Sequence, residues 1–113
     1  MLAGVGCSAQ STRTPSADDE IKSFVAAYSD ALNQGSAQQR WDMTCTSQHE
    51  WFNANPVRKE QLNETVPGHL EIKQITANGD TATVAVDHIN GDQHESVDFH
   101  LVRENGSWKV CEK

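Results

Sequence analysis

Apolar residues recur every three or four positions early in the chain, which is the spacing of a helix with one buried face. The members of this face are Ile21, Phe24, Val25, Tyr28 and Leu32. Ser16 stands just before the pattern, where its hydroxyl can accept a hydrogen bond from a free backbone N–H. We therefore predict a helix that begins after Ser16 and ends at Gly35, with Ser36 capping the next helix.

Two shorter helices are predicted before the pattern changes. One covers roughly residues 37–45 and carries Trp41, and the other covers roughly residues 57–63. The run His49-Glu50-Trp51-Phe52 could extend a helix, which Asn55-Pro56 then breaks, because the residue before a proline avoids helical backbone angles. Further along the chain, apolar and polar residues alternate, and three Asn-Gly pairs occur. Asn and Gly accept the backbone angles of tight hairpin turns, so this half predicts four antiparallel strands, near 69–77, 81–89, 93–104 and 107–112.

The positions of the Asn-Gly pairs predict how the strands pair. A two-residue turn at the second pair, residues 90–91, places Val84 opposite Val97. The same kind of turn at the third pair places Leu101 opposite Val110. All four residues then lie on one face of the sheet, as expected for an antiparallel meander with one buried side.

At the first Asn-Gly pair, a three-residue loop that ends at Asp80 fits better than a two-residue turn. It aligns Ile72 with Val86 and Gln74 with Val84. The predicted buried face consists of Leu70, Ile72, Val84, Val86, Val97, Phe99, Leu101, Trp108 and Val110. The predicted solvent-facing side carries Thr81, Thr83, Asp87, Asp98, His100 and Lys109.

Length and charge narrow the class of protein. The 113 residues suit a single domain, which we place at residues 17–113. The formal net charge of −7 argues against a nucleic-acid partner, since nucleic acids attract basic surfaces. The chain has no stretch of about 18 apolar residues, so contact with a membrane would need a lipid anchor rather than a spanning helix.

The first residues of the chain indicate the cellular compartment in which the protein resides. The run Gly4-Val5-Gly6-Cys7 resembles a bacterial lipobox, in which the cysteine carries a diacylglycerol, although a lipobox usually has Leu where this chain has Gly4. The basic and long apolar parts of a signal peptide are missing, so either the start is truncated or Cys7 is an ordinary N-terminal thiol. Residues 8–16 hold no large apolar side chain, so we interpret residues 1–16 as a signal remnant followed by a disordered tether.

The predicted order of elements is helices followed by a long antiparallel meander, which ends in Gly106-Ser107-Trp108-Lys109-Val110-Cys111. This order resembles the nuclear-transport-factor-two-like, or cystatin-like, α+β fold. The chain is most similar to small actinobacterial lipoproteins of that fold. The resemblance implies a curled sheet that wraps around the first helix and leaves a cone-shaped pocket. It implies no single activity, because the fold hosts isomerases, cyclases, dehydratases, carrier-like modules and domains without a known reaction.

Cys45 and Cys111 are the expected disulfide pair of an exported domain, with two free thiols as the alternative. Strand alternation points Cys111 away from the core face. The bond therefore requires sheet curl, a bulge, or an approach of Cys45 to the end of the strand.

Aromatic side chains and one histidine are possible pocket residues, although packing in the core is the preferred interpretation for the aromatic ones and a place on the rim is preferred for the histidine. They are Tyr28, Trp41, Trp51, Phe52, His88 and Trp108. The resemblance to isomerases of this fold implies an oxyanion hole made by a tyrosine and a strand carboxylic acid, with another carboxylate as the base. Tyr28 would match the tyrosine, Asp98 the strand acid and Asp42 the base, but Asp98 is predicted to face away from the pocket. The five histidines form no His-x-His or His-x-x-x-His pair, so no metal or other cofactor is expected.

Together these features predict an exported, lipid-anchored cell-envelope domain of binding or accessory type. Its partner would be a small apolar ligand or another envelope protein. A cofactor-free isomerase or cyclase of the same fold is the first alternative. A purely structural envelope lipoprotein is the second.

Overall fold

The computed structural model describes residues 16–112, so Cys7 and all of the expected tether except Ser16 lie outside them. Helix α1 spans Ala17–Gln34, as predicted. The Ser16 hydroxyl accepts a hydrogen bond from the Asp19 N–H at 3.2 Å. Gly35 ends the helix with a left-handed backbone (φ 65°), an angle that L side chains rarely adopt. Ser36 caps the next helix, again as predicted.

Three short helices follow α1. They are α2 (Ala37–Asp42), α3 (Thr46–Ala54) and α4 (Pro56–Glu60), and α4 continues as a 3₁₀ turn over Gln61–Asn63. The predicted helix over residues 37–45 is therefore too long. The chain leaves α2 at Met43, because residues 43–45 pair with the last strand instead.

The second half forms one four-stranded antiparallel sheet, and the predicted α+β architecture is confirmed. Its strands are β1 (His69–Asn78), β2 (Thr81–Asn90), β3 (Gln93–Glu104) and β4 (Ser107–Val110), paired in chain order. Helix α1 packs its apolar face on this sheet. Of the nine residues predicted for the buried face, five lie in the resulting core and the other four are partly buried and pack against it. No helix within residues 16–112 is both long enough and apolar enough to cross a membrane.

The strand pairing agrees with the prediction at one turn and differs at another. Leu101 lies opposite Val110, as predicted. Val84 lies opposite Phe99 rather than Val97, because Asn90 pairs with Gln93 and the turn consists of residues 91–92. This moves the pairing by two positions, and an even shift keeps every side chain on its own face. The error therefore left the predicted core unchanged.

A β-bulge near Lys73 explains the remaining difference. Ile72 lies opposite Val86, as predicted, but the register then shifts and Gln74 lies opposite Ala85 instead of Val84. A bulge adds one unpaired residue to a strand and reverses the alternation beyond it. Ile75 consequently packs against the core together with Ile72, although the two are separated by an odd number of positions.

Candidate functional site

The disulfide forms between Cys45 and Cys111, whose Cα atoms are 5.2 Å apart. It links the start of α3 to the end of β4. Cys45 reaches the outward-pointing Cys111 because residues 43–45 run beside the strand: the Val110 N–H donates to the Met43 carbonyl at 2.8 Å, and the Cys45 N–H donates to the Val110 carbonyl at 3.0 Å. Of the three routes considered from the sequence, the approach of Cys45 to the strand end is the one observed.

Tyr28 packs where α1 faces the sheet. Its ring stacks on Phe24 at 6.1 Å and meets the edge of Phe99 at 5.6 Å between ring centroids. Burial raises the pKa of the Tyr28 hydroxyl above its ordinary value, and the Arg40 guanidinium beside it offsets part of that rise. A phenol whose ionised form is disfavoured stays protonated at neutral pH and does not act as a base.

Neither acid proposed for an isomerase-like reaction is positioned to react together with Tyr28. Asp98 is exposed and lies opposite Ala85 on the solvent-facing side of the sheet, as predicted. Asp42 is also exposed, and its carboxylate accepts a hydrogen bond from Gln38 Nε2 at 2.8 Å. Neither the expected oxyanion-hole acid nor the expected base is among the charged groups that act on Tyr28, which are Arg40 and Glu112.

The other candidate pocket residues occupy separate places. Trp108 is only 5% exposed, and its indole N–H donates to the Glu20 carboxylate at 3.3 Å. The Arg103 guanidinium lies over the indole ring, 4.4 Å from its centroid. His88 bonds the Pro67 carbonyl through Nε2 at 2.8 Å, near the tip of the β2–β3 hairpin. These residues do not line a common cavity with the aromatic residues of α2 and α3.

Trp41, Trp51 and Phe52 do come together. The Trp51 ring meets the edge of Phe52 at 5.4 Å, and Phe52 lies 6.1 Å from Trp41. His49 stacks parallel to Trp41 at 3.9 Å, and the Lys59 ammonium lies 4.8 Å from the centroid of the same indole. Trp41 is thus fixed in position between a histidine ring and a cation.

Trp41 also lines a cleft of about 540 Å³ between α2 and the segment formed by α4 and the 3₁₀ turn. Pro56 and Leu62 complete its apolar surface, and polar side chains surround it. The volume lies within the range of about 300–1,000 Å³ that small-molecule sites occupy. Of the expected pocket residues, Trp41 lines this cleft, whereas Trp108 and His88 line two other clefts of similar volume.

Arg40 holds the two walls of this cleft together. Its Nη1 atom donates to the Leu62 and Glu64 carbonyls at 3.0 Å each and lies 3.4 Å from the Gln61 carbonyl. The segment is fixed further along by the Val66 N–H, which donates to the C-terminal end of α1 at 2.8 Å. Charge-assisted hydrogen bonds are stronger than neutral ones, so Arg40 links α2 firmly to the 3₁₀ turn.

Sequence reasoning identified Trp41 but missed Arg40, Gln38 and Lys59 as parts of the site. No local signal marks Arg40, because the carbonyls that it binds are 21 to 24 positions away in the chain. Within residues 16–112, no group of three or more His, Cys, Asp and Glu side chains is placed to hold a metal ion.

Comparison with known proteins supports the fold. No protein-family model matches the chain, and no curated protein matches it in sequence. A Campylobacter jejuni protein described as a candidate NTF2-like transpeptidase matches with a TM-score of 0.62 at 16% identity, over 87% of this chain and 100% of that chain. An NTF2-like protein of unknown function from Silicibacter pomeroyi matches with a TM-score of 0.58 at 13% identity, over 82% of this chain and 88% of that chain. The chain therefore has the NTF2-like fold, and such distant likeness shows the fold alone.

Proposed function

We propose that the protein is an exported cell-envelope domain of binding or accessory type, held at the outer face of a membrane by a lipid on Cys7, like the small actinobacterial lipoproteins that it resembles. The Cys45–Cys111 disulfide carries this proposal, because such bonds persist in oxidising compartments and are rare in the cytosol. The bond uses two of the three cysteines and leaves Cys7 for a different role. Lipidation itself rests on the lipobox-like sequence before Cys7.

Binding is favoured over catalysis by the arrangement of polar groups. Tyr28 packs between Phe24 and Phe99, and the charged groups that act on its hydroxyl are Arg40 and Glu112 rather than either candidate acid. The cleft between α2 and α4 instead combines an apolar surface with a polar rim, as binding sites usually do. The ligand is therefore assigned to this cleft rather than to the interior of the cone.

Detergent partitioning of the protein from its own host tests the anchor. We expect the intact protein in the detergent phase and a Cys7→Ser variant in the aqueous phase, with Ser8→Ala as the matched control that remains detergent-bound. If Cys7→Ser partitions like the unaltered protein, the lipid-anchor part of the proposal is wrong. Fractionation that recovers the unaltered protein in the cytosol would remove export as well.

A further inference from the structure

The two cysteines of the disulfide differ in their access to solvent. Cys45 is 0% exposed, whereas Cys111 is half-buried and its sulfur contacts the exposed Ser47 hydroxyl. The difference follows from the fold, because Cys45 lies between α2 and α3 while Cys111 follows the last residue of β4 and points away from the core. A thiol that approaches from solvent therefore reaches the Cys111 sulfur before the Cys45 sulfur.

The Ser47 hydroxyl lies beside both sulfur atoms. Its Oγ atom is 3.3 Å from Cys45 Sγ and 3.3 Å from Cys111 Sγ. A disulfide sulfur carries no proton, so the hydroxyl is the donor in either contact. When the S–S bond breaks, the leaving sulfur becomes negatively charged, and a donor that already touches it stabilises that charge.

Two other groups act on a negative charge at Cys45, and they act in opposite directions. Helix α3 begins at Thr46, directly after Cys45, and the positive end of its dipole favours an anion there. The Glu104 carboxylate accepts a hydrogen bond from the Thr46 N–H at 3.2 Å, and its own charge disfavours a second anion nearby. Burial, rather than charge, is therefore what distinguishes the two sulfur atoms.

Backbone pairing holds the two cysteines side by side even when the S–S bond is open. The Cys45 N–H donates to the Val110 carbonyl at 3.0 Å, and the Cys111 N–H donates to the His100 carbonyl at 2.7 Å. Neither hydrogen bond involves a sulfur atom. A thiolate formed at Cys45 thus remains next to Cys111 and can attack it again.

We propose that Cys111 is a site of reversible S-thiolation by small thiols, with Cys45 as the resolving cysteine. The small thiolate forms a bond to Cys111 Sγ, the Cys45–Cys111 bond breaks, and Cys45 leaves with the electron pair and takes a proton from water. The small thiol is oxidised to a mixed disulfide and Cys45 is reduced. In the return step the Cys45 thiolate attacks Cys111 Sγ and expels the small thiolate.

Adduct mapping on the oxidised protein tests the direction of attack. The full chain with Cys7→Ser is treated with β-mercaptoethanol, quenched in acid at short times, and mapped by peptide mass spectrometry. This thiol is neutral, so the charges of Glu104 and Glu112 near the bond neither attract nor repel its bulk. We expect the early adduct on Cys111 rather than Cys45 by at least about ten to one.

Two single variants in the same background form a matched pair, because each lacks the disulfide and keeps one thiol. With hydroxyethyl disulfide as the probe, the Cys111 thiol of Cys45→Ser should react at least about tenfold faster than the Cys45 thiol of Cys111→Ser. Circular dichroism confirms that both variants are folded. The mapping on the oxidised protein alters neither cysteine, so it decides the question if a variant fails to fold.

The contribution of Ser47 is tested by the rate at which the bond opens. Ser47→Ala removes the donor and should slow opening about two- to tenfold, the usual effect of one hydrogen bond. Ser23→Ala changes an exposed serine of α1, a helix that holds neither cysteine, and should leave the rate unchanged. Equal rates in the two serine variants would overturn the role assigned to Ser47.

Three results would overturn the S-thiolation site itself: an early adduct on Cys45, an early adduct shared equally by both cysteines, or equal reactivity of the two single-cysteine variants. The proposal goes beyond the binding role and does not depend on export or on the lipid. Detergent partitioning and cell fractionation test those separately, so either proposal can fail while the other stands.

Discussion

Reduction of the Cys45–Cys111 bond is predicted to destabilise the domain substantially. The two cysteines are 66 positions apart, so the bond closes a long loop in the unfolded chain. In the chain-entropy description, a loop of that length gives about 4 kcal/mol of stabilisation at room temperature. Backbone hydrogen bonds between residues 43–45 and Val110 persist without the bond, so the folded state keeps its local structure while the unfolded state gains freedom.

A loss of about 2–4 kcal/mol would lower the melting temperature of a domain of this size by roughly 10–25 °C. The best comparison is between oxidised and reduced forms of the same chain, because only the S–S bond differs between them. A Cys45→Ala/Cys111→Ala variant, measured with and without reductant, is the control and should not respond to reductant.

Differential scanning calorimetry and urea unfolding provide the measurement. If the oxidised and reduced forms melt within about 3 °C of each other, the bond does not restrain the unfolded chain as calculated. A variant that still responds to reductant would show that the effect arises from something other than this disulfide.

Further substitutions test the sheet, the cleft and one ion pair. Val84 is fully buried, so Val84→Asp should lower the free energy of unfolding in urea by more than about 3 kcal/mol. Thr83→Asp, on the opposite face of the sheet, should lower it by less than about 1 kcal/mol. A larger loss from Thr83→Asp would mean that the buried and solvent-facing sides were assigned the wrong way round. Arg40→Met should lower the free energy of unfolding by about 2–3 kcal/mol in the same assay. An unchanged free energy of unfolding would mean that the guanidinium does not hold the two walls of the cleft together. Glu112 raises the pKa of His100 through a hydrogen bond and its charge, so the pair stabilises the fold below the ordinary pKa of histidine and loses this effect as the pH rises through the higher folded value. His100→Gln should therefore lower the melting temperature slightly near about pH 5.5 and leave it unchanged near about pH 8.5, and equal effects at both would contradict the linkage.

The core could be predicted from the sequence because it depends on local periodicity. The helical spacing of Ile21 and Val25 and the strand alternation through Val84 and Val86 each identify a buried face without knowledge of the partner element. The exact pairing was harder to predict, since an Asn-Gly pair marks a turn but does not say which two residues form it. Lys73 shows the limit most clearly, because a bulge reverses the alternation and leaves no distinctive residue at the position.

The candidate site was only partly predictable, for a related reason. Trp41 stands out as a large aromatic residue, but the cleft around it exists because Arg40 binds carbonyls on a segment more than twenty positions away. Contacts of that length between a side chain and backbone groups leave no pattern in a single sequence. The disulfide was inferred correctly because cysteine number and position restrict the pairings, although the path that brings Cys45 to the strand end required the structure.

The most direct test of the central claim, that this is an exported domain, is the oxidation state of its cysteines in the living host. Cells are quenched in acid, free thiols are blocked with one alkylating reagent, and disulfides are then reduced and labelled with a second reagent of different mass. The account predicts that Cys45 and Cys111 carry only the second label. The first label on both residues, in cells that were never exposed to reductant, would contradict the extracytoplasmic assignment.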